Sequence, residues 1–252
     1  MTNDNPARPI AGTAKPDPTP DDVIPLTREN LRSGRIRDWV AKYDGTFTPL
    51  SDDALKISIA SMFPPDGRPD GSVWLFGYGS LIWNPAIDYA EKRPATVHGL
   101  HRRFCLQTFL GRGSRERPGL VLALDRGGSC RGVVFRIAPE HVDSELDLVW
   151  RREMITHSYR PRWMTAVTPE GPVRAIGFVI NRRHERYTGL LPEETVAETI
   201  AHASGFLGPC CDYLFNTVEH LDELGMPDAG LTRLARRVRA IRAADADGGE
   251  GS

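Results

Sequence analysis

Residues 72–76 read as a short β-strand that stops at Gly77-Tyr78-Gly79, and this abrupt stop limits the fold more than any other feature. Two glycines one residue apart let a backbone turn sharply and approach a ligand without Cβ interference. The pattern does not continue as a dinucleotide fingerprint. The third glycine of G-x-G-x-x-G falls at Ile82, and Asn84-Pro85 stands where a helix would open. Consecutive N–H groups along Gly77, Tyr78, Gly79, Ser80, Leu81 and Ile82 can form a concave nest for a carboxylate or phosphate. A plain tight turn between strands is an equal alternative.

Further strand patterns fall at 95–97, 104–109, 119–125, 131–137, 165–167 and 173–180, with Gly127-Gly128-Ser129 placed as a hairpin turn. Helical spacing covers 139–154, 192–204, 211–224 and 231–242. Strands in a run interrupted by one helix, with the later helices gathered at the end, predict an α+β fold around a curved mixed sheet. Four segments are expected. Residues 1–21, rich in Pro, Asp, Thr and Asn, bury too little to be ordered. Residues 22–70 form a helical N-terminal extension: one helix over 27–43 capped by Thr27, a second from Ser51 to about Met62, then Pro64-Pro65-Asp66-Gly67 and Pro69-Asp70-Gly71 as breaks. Residues 71–242 are the main domain, and 243–252 a small, acidic, Gly-rich frayed tail.

The 32 basic and 33 acidic side chains leave a formal net charge of -1, so no overall field holds nucleic acid or an anionic membrane. The basic pairs Arg102-Arg103, Arg151-Arg152, Arg182-Arg183 and Arg236-Arg237 are scattered. Cys105, Cys130, Cys210 and Cys211 include no C-x-x-C pair and read as buried free thiols in a reducing compartment. With no secretory pattern at the N-terminus and no apolar run long enough to span a bilayer, the cytoplasm is the expected location.

Catalysis has its best candidate in the helix ending Leu146-Asp147-Leu148-Val149-Trp150-Arg151-Arg152-Glu153. Val142, Leu146, Val149 and Trp150 mark its buried face, and Glu153 falls on the same face at i+4 from Val149. A carboxylate set into an apolar stripe loses hydration, which raises its pKa toward the range of a general base. The alternative is a structural Glu paired with a nearby arginine. Asp147, Arg151 and Arg152 are expected to face solvent. His98 and His101 should point to opposite faces of a strand, which supports neither a metal pair nor a catalytic pair. Arg112, between Gly111 and Gly113, either clamps a carboxylate or is a turn arginine.

Together these stretches resemble the ChaC family of glutathione-specific γ-glutamylcyclotransferases. The opening motif is Val73-Trp74-Leu75-Phe76-Gly77-Tyr78-Gly79-Ser80-Leu81-Ile82-Trp83. Arg102-Arg103-Phe104, the Arg112-Gly113 and Pro118-Gly119 stretch, Arg152-Glu153 and Asp212-Tyr213-Leu214 come after it in family order. The similarity runs over about 74–224. It implies a small mixed αβ barrel-like domain that cleaves glutathione to 5-oxoproline and Cys-Gly without metal or cofactor. Residues 77–82 would cradle the γ-glutamyl group, Glu153 would take the catalytic position, and Arg112 and Tyr213 would be lesser substrate contacts. Ile155-Thr156-His157-Ser158 separates Glu153 from Tyr159 by more than the family's glycine pair, and Cys210-Cys211 replaces its small or polar residues. Cyclisation of another γ-glutamyl amine, or a non-catalytic regulatory module, are the competing readings. The resemblance implies a small-molecule partner, while the charge balance and the lack of a long apolar run predict no nucleic-acid or membrane partner; oligomeric state is not legible.

Overall fold

Five strands close into a barrel in the computed structural model, which describes residues 18–19, 22–44, 48–64 and 71–249. The strands are β1 (Val73–Gly77), β2 (Glu91–Thr108), β3 (Gly119–Ile137), β4 (Tyr159–Thr168) and β5 (Gly171–Ile180), in the barrel order β1-β3-β2-β4-β5. β1 pairs antiparallel with β3 and closes the ring by a short parallel pairing with β5, Trp74 against Ala175 and Leu75 against Ile176. The mixed α+β character expected from the strand and helix order, and the barrel implied by the resemblance, are both present.

β2 and β3 are far longer than the separate short strands expected from the sequence. Gly127 and Gly128 do not turn a hairpin; they lie inside β3 with φ of +102° and +64°. Opposite them β2 carries Gly99 at φ +78° and a register shift between His98 and Leu100. Glycines on both strands thus bend the ribbon at one point without ending it, as bulges do. His101 lies beside this bend, with Nδ1 2.9 Å from the Gly127 carbonyl.

Helix α4 (Val142–Glu153) comes directly after a 3-10 turn at Pro139–His141 and packs Val142, Leu146, Val149 and Trp150 into the main core. The Trp150 ring meets Phe178 of β5 edge-on, with centroids 5.1 Å apart. Late in the chain come α5 (Glu193–His202), the two-residue strands β6 (Ser204–Gly205) and β7 (Gly208–Pro209), α6 (Cys210–Glu223) and α7 (Ala229–Gly249). α7 continues past Arg242, so the segment expected to fray is helical as far as Gly249.

The N-terminal helices are α1 (Arg28–Arg32), α2 (Arg35–Tyr43) and α3 (Asp52–Ala60). Thr27 and Ser51 cap α1 and α3, accepting from the amides of Asn30 and Ala54. The single helix expected over 27–43 is broken at Gly34, whose φ of +78° lies outside the helical region. The break lets Leu31 and Ile36 pack together on Leu148 of α4. Ser58 of α3 accepts from Trp150 Nε1 at 3.0 Å. The extension therefore lies along the back of α4. The tail at 1–17 and 20–21, the breaks at 65–70 and the last residues 250–252 lie outside the described residues. No helix among the described residues is long and apolar enough to cross a membrane.

Candidate active site

Beyond β1 the chain winds one tight turn. Ile82 N–H donates to Gly79 O and Asn84 N–H to Ser80 O, both at 2.8 Å. The amides of Gly79, Ser80 and Leu81 find no acceptor within that turn, as in the first turn of a helix. The Tyr78 and Leu81 side chains point into the core, Ile82 packs against it, and the Ser80 side chain is half-buried. The two glycines have different reasons. A Cβ on Gly77 would meet the Phe135 ring at 3.0 Å and Leu81 Cβ at 3.1 Å, so its lack of side chain serves packing. A Cβ on Gly79 would lie 2.9 Å from Tyr213 Oη, which puts that hydroxyl directly over the loop backbone. Gly79→Ala should therefore destabilise the fold by about 1–3 kcal/mol through overpacking. Thermal unfolding of Gly79→Ala/Tyr213→Phe should recover most of that loss, since the offending oxygen is gone; no recovery would place the clash elsewhere.

Glu153 is the last residue of α4, and its side chain is 14% exposed. Burial pushes its carboxyl pKa up, against the opposing pull of Arg152. The negative end of the helix dipole adds in the same direction. Tyr78, Tyr159 and Tyr213 all lie within electrostatic reach of this carboxylate, and burial, then these neighbours, raise their own pKa values. The hydroxyls of Tyr78 and Tyr159 donate to the carbonyls of Phe178 and Leu122 at 3.0 and 2.9 Å. The four acidic groups thus face one another from β1's exit, α4, β4 and α6.

Arg152 corrects the sequence reading. Expected to face solvent, its side chain is only 5% exposed. Nε lies 3.1 Å from Glu153 Oε1, Nη2 donates to Ser80 Oγ at 2.8 Å, and Nη1 donates to the carbonyls of Asn84 and Pro85. One guanidinium ties the carboxylate to the glycine loop. The reason is tertiary: Arg152 lies between Leu148 and Val149 around the helix, and α1 and α2 bury the Leu148 side as well. Arg151 is also largely covered, paired with Asp147 at 2.7 Å and Asp52 at 2.9 Å. The signal in the sequence was Arg152's i+3 spacing from Val149, at the margin of the apolar stripe.

The other α4 carboxylates are engaged elsewhere. Glu145 is buried and receives both Arg28 nitrogens, at 2.6 and 2.8 Å, plus the Asp88 amide at 2.9 Å. Arg112 lies beside the start of α6. Its Nη1 donates to Pro209 O at 3.2 Å, just before α6 brings in Tyr213. Its neighbour Gly111 accepts from the Leu207 amide, so the Arg112 loop is stitched to the β6–β7 hairpin. All four cysteines are free and buried, and burial pushes Cys210's thiol up to about 11. No group of three His, Cys, Asp or Glu side chains among the described residues is placed to hold a metal ion.

A family model described as ChaC-like protein matches residues 73–241. The glutathione-specific γ-glutamylcyclotransferase of Escherichia coli K12 is 44% identical over 178 residues, covering 70% of this chain and 77% of that protein. The human glutathione-specific γ-glutamylcyclotransferase 1 is 32% identical over 187 residues, covering 72% and 84%. The crystal structure of a yeast γ-glutamyl cyclotransferase specific to glutathione superposes with a TM-score of 0.63 at 22% identity, covering 68% of this chain and 97% of that one. That last likeness concerns the fold. Helices α1–α3 lie outside the matched span.

Proposed function

Because the chain belongs to the ChaC-like family, we propose that it cleaves the γ-glutamyl bond of glutathione to 5-oxoproline and Cys-Gly, with Glu153 as general base. The relatives' activity supports the reaction. The observation that carries the residue assignment is the buried Glu153 carboxylate, of raised pKa, held against the glycine loop through Arg152.

In this reaction the substrate's own α-amine attacks its γ-carbonyl. A five-membered lactam forms and the amide C–N bond to cysteine breaks. Two protons leave the attacking nitrogen as the ammonium becomes the lactam N–H, and two reach the departing cysteine nitrogen, which leaves as an ammonium. Glu153 takes and returns each in turn, ending as the carboxylate it began as. Folding the γ-glutamyl chain back on itself in a confined site supplies several kcal/mol of the barrier. The amides of Gly79, Ser80 and Leu81 are suited to the α-carboxylate or to the oxyanion that develops on the γ-carbonyl. The Tyr213 hydroxyl over Gly79 adds a polar contact at the same place. Arg112, at the foot of α6, is assigned to the outer half of the substrate. Free, buried thiols fit a cytoplasmic enzyme.

Incubation with glutathione and, separately, with γ-glutamyl-alanine tests the reaction, with 5-oxoproline measured by mass spectrometry. Release from glutathione well above that from γ-glutamyl-alanine is expected. Equal release would assign the enzyme to γ-glutamyl amines in general, and no 5-oxoproline from either would remove the catalytic reading.

A further inference from the structure

β2 and β4 pair only at Thr96–Val167 and Val97–Ala166. Past Val97, where β2 bends, the two strands separate and a cleft of about 450 Å³ lies between them. Leu124 and Val179, paired across β3 and β5, form part of its floor. Five arginines line it against one carboxylate, Asp125. That carboxylate is already satisfied: Tyr187 Oη donates to it at 2.7 Å, the Arg126 amide at 2.8 Å, and Arg182 Nε lies 3.3 Å away. The guanidinium groups of Arg126, Arg160, Arg162 and Arg183 meet no carboxylate among the described residues. Strand alternation puts Arg160 and Arg162 side by side on the face of β4 opposite Tyr159, away from the catalytic group.

We propose that this cleft is a second binding site, for a small polyphosphate anion, either free or carried by a nucleoside. Planar guanidinium forks match phosphate oxygens two at a time. Four solvent-exposed arginines around one cleft, whose single carboxylate is already engaged, leave an excess of positive charge that a multivalent anion neutralises. The cleft is concave and within the size range of small-molecule sites. The chain's net charge of -1 supplies no overall basic field of the kind that holds a nucleic-acid backbone.

Calorimetric titration of the full chain with tripolyphosphate at low ionic strength tests the site. One saturable event is expected, weakened at least ~10-fold in Arg160→Ala/Arg162→Ala and unchanged in Arg236→Ala, on the remote face of α7. Arg160→Gln/Arg162→Gln, which retains side-chain length, should lose binding equally while its near-ultraviolet circular dichroism stays that of the parent. ATP binding more tightly than tripolyphosphate would mark a nucleoside-borne ligand; equal affinities would mark the free phosphate chain. Absence of saturation, equal weakening in Arg236→Ala, or preference for an oligonucleotide over tripolyphosphate would overturn the proposal.

Discussion

Glu153→Gln is expected to lower kcat by about 10²–10⁴-fold while glutathione still binds. The substitution preserves shape and one acceptor oxygen for Arg152 but removes the proton acceptor, so single-site binding by calorimetry should survive where turnover does not. Turnover near the parent value would move the base to another group. Glu145 and Asp147 are poor substitutes, because Arg28 and Arg151 already occupy them. The pH profile gives an independent reading. Burial raises the Glu153 pKa, so the ionised base is lost as pH falls through a value above the ordinary ~4.3 of glutamate. The acidic limb of kcat should therefore lie above that value in the parent and vanish from the residual activity of the Gln variant.

Arg28→Met is the second large effect, and it acts on stability. Arg28 joins three parts of the molecule: its own helix α1, Glu145 on α4, and the loop that follows the turn at 77–82, through Ala86 O at 3.3 Å and Asp88 at 3.0 Å. Removing it leaves Glu145 charged and buried with the Asp88 amide and Ser144 as partners. Leaving a buried carboxylate without its counter-ion costs about 2–4 kcal/mol here, the Arg28 side chain being partly solvated. Denaturant unfolding at neutral pH should show this loss, and Arg28→Met/Glu145→Gln should recover most of it. Burial raises the Glu145 pKa, but Arg28 and the Asp88 amide outweigh burial and hold it below the usual carboxylate range. The pair's contribution is thus present above the unfolded glutamate pKa of about 4.3 and is lost as pH falls through the lower folded value. The gap between parent and Arg28→Met should close in acid. A gap independent of pH would mean that Arg28 contributes by packing alone.

Local chemistry made much of this readable. The caps at Thr27 and Ser51, the apolar stripe of α4 and the abrupt stop at Gly77 depend on neighbours within a few residues, and the structure has them as read. What failed depended on partners distant in the chain. Gly127-Gly128 resembles a hairpin turn until Gly99 is opposite it on β2, where the pair bends one long ribbon. Arg152 resembles a solvent-facing arginine until α1 and α2 cover the Leu148 side of its helix and the loop at 80–85 offers it acceptors.

The sequence by itself determined the family, the α+β class, the glycine loop and the carboxylate at the end of an apolar helix face, because each is carried by residue identity and short-range periodicity. Only the tertiary structure decided that the Tyr213 hydroxyl lies over Gly79, that Arg152 links loop to carboxylate, that the N-terminal helices brace α4, and that arginines from β3, β4 and the turn after β5 share one cleft. The physical reason is that burial and charge compensation belong to surfaces brought together by folding, and no spacing along the chain records which surface will cover which.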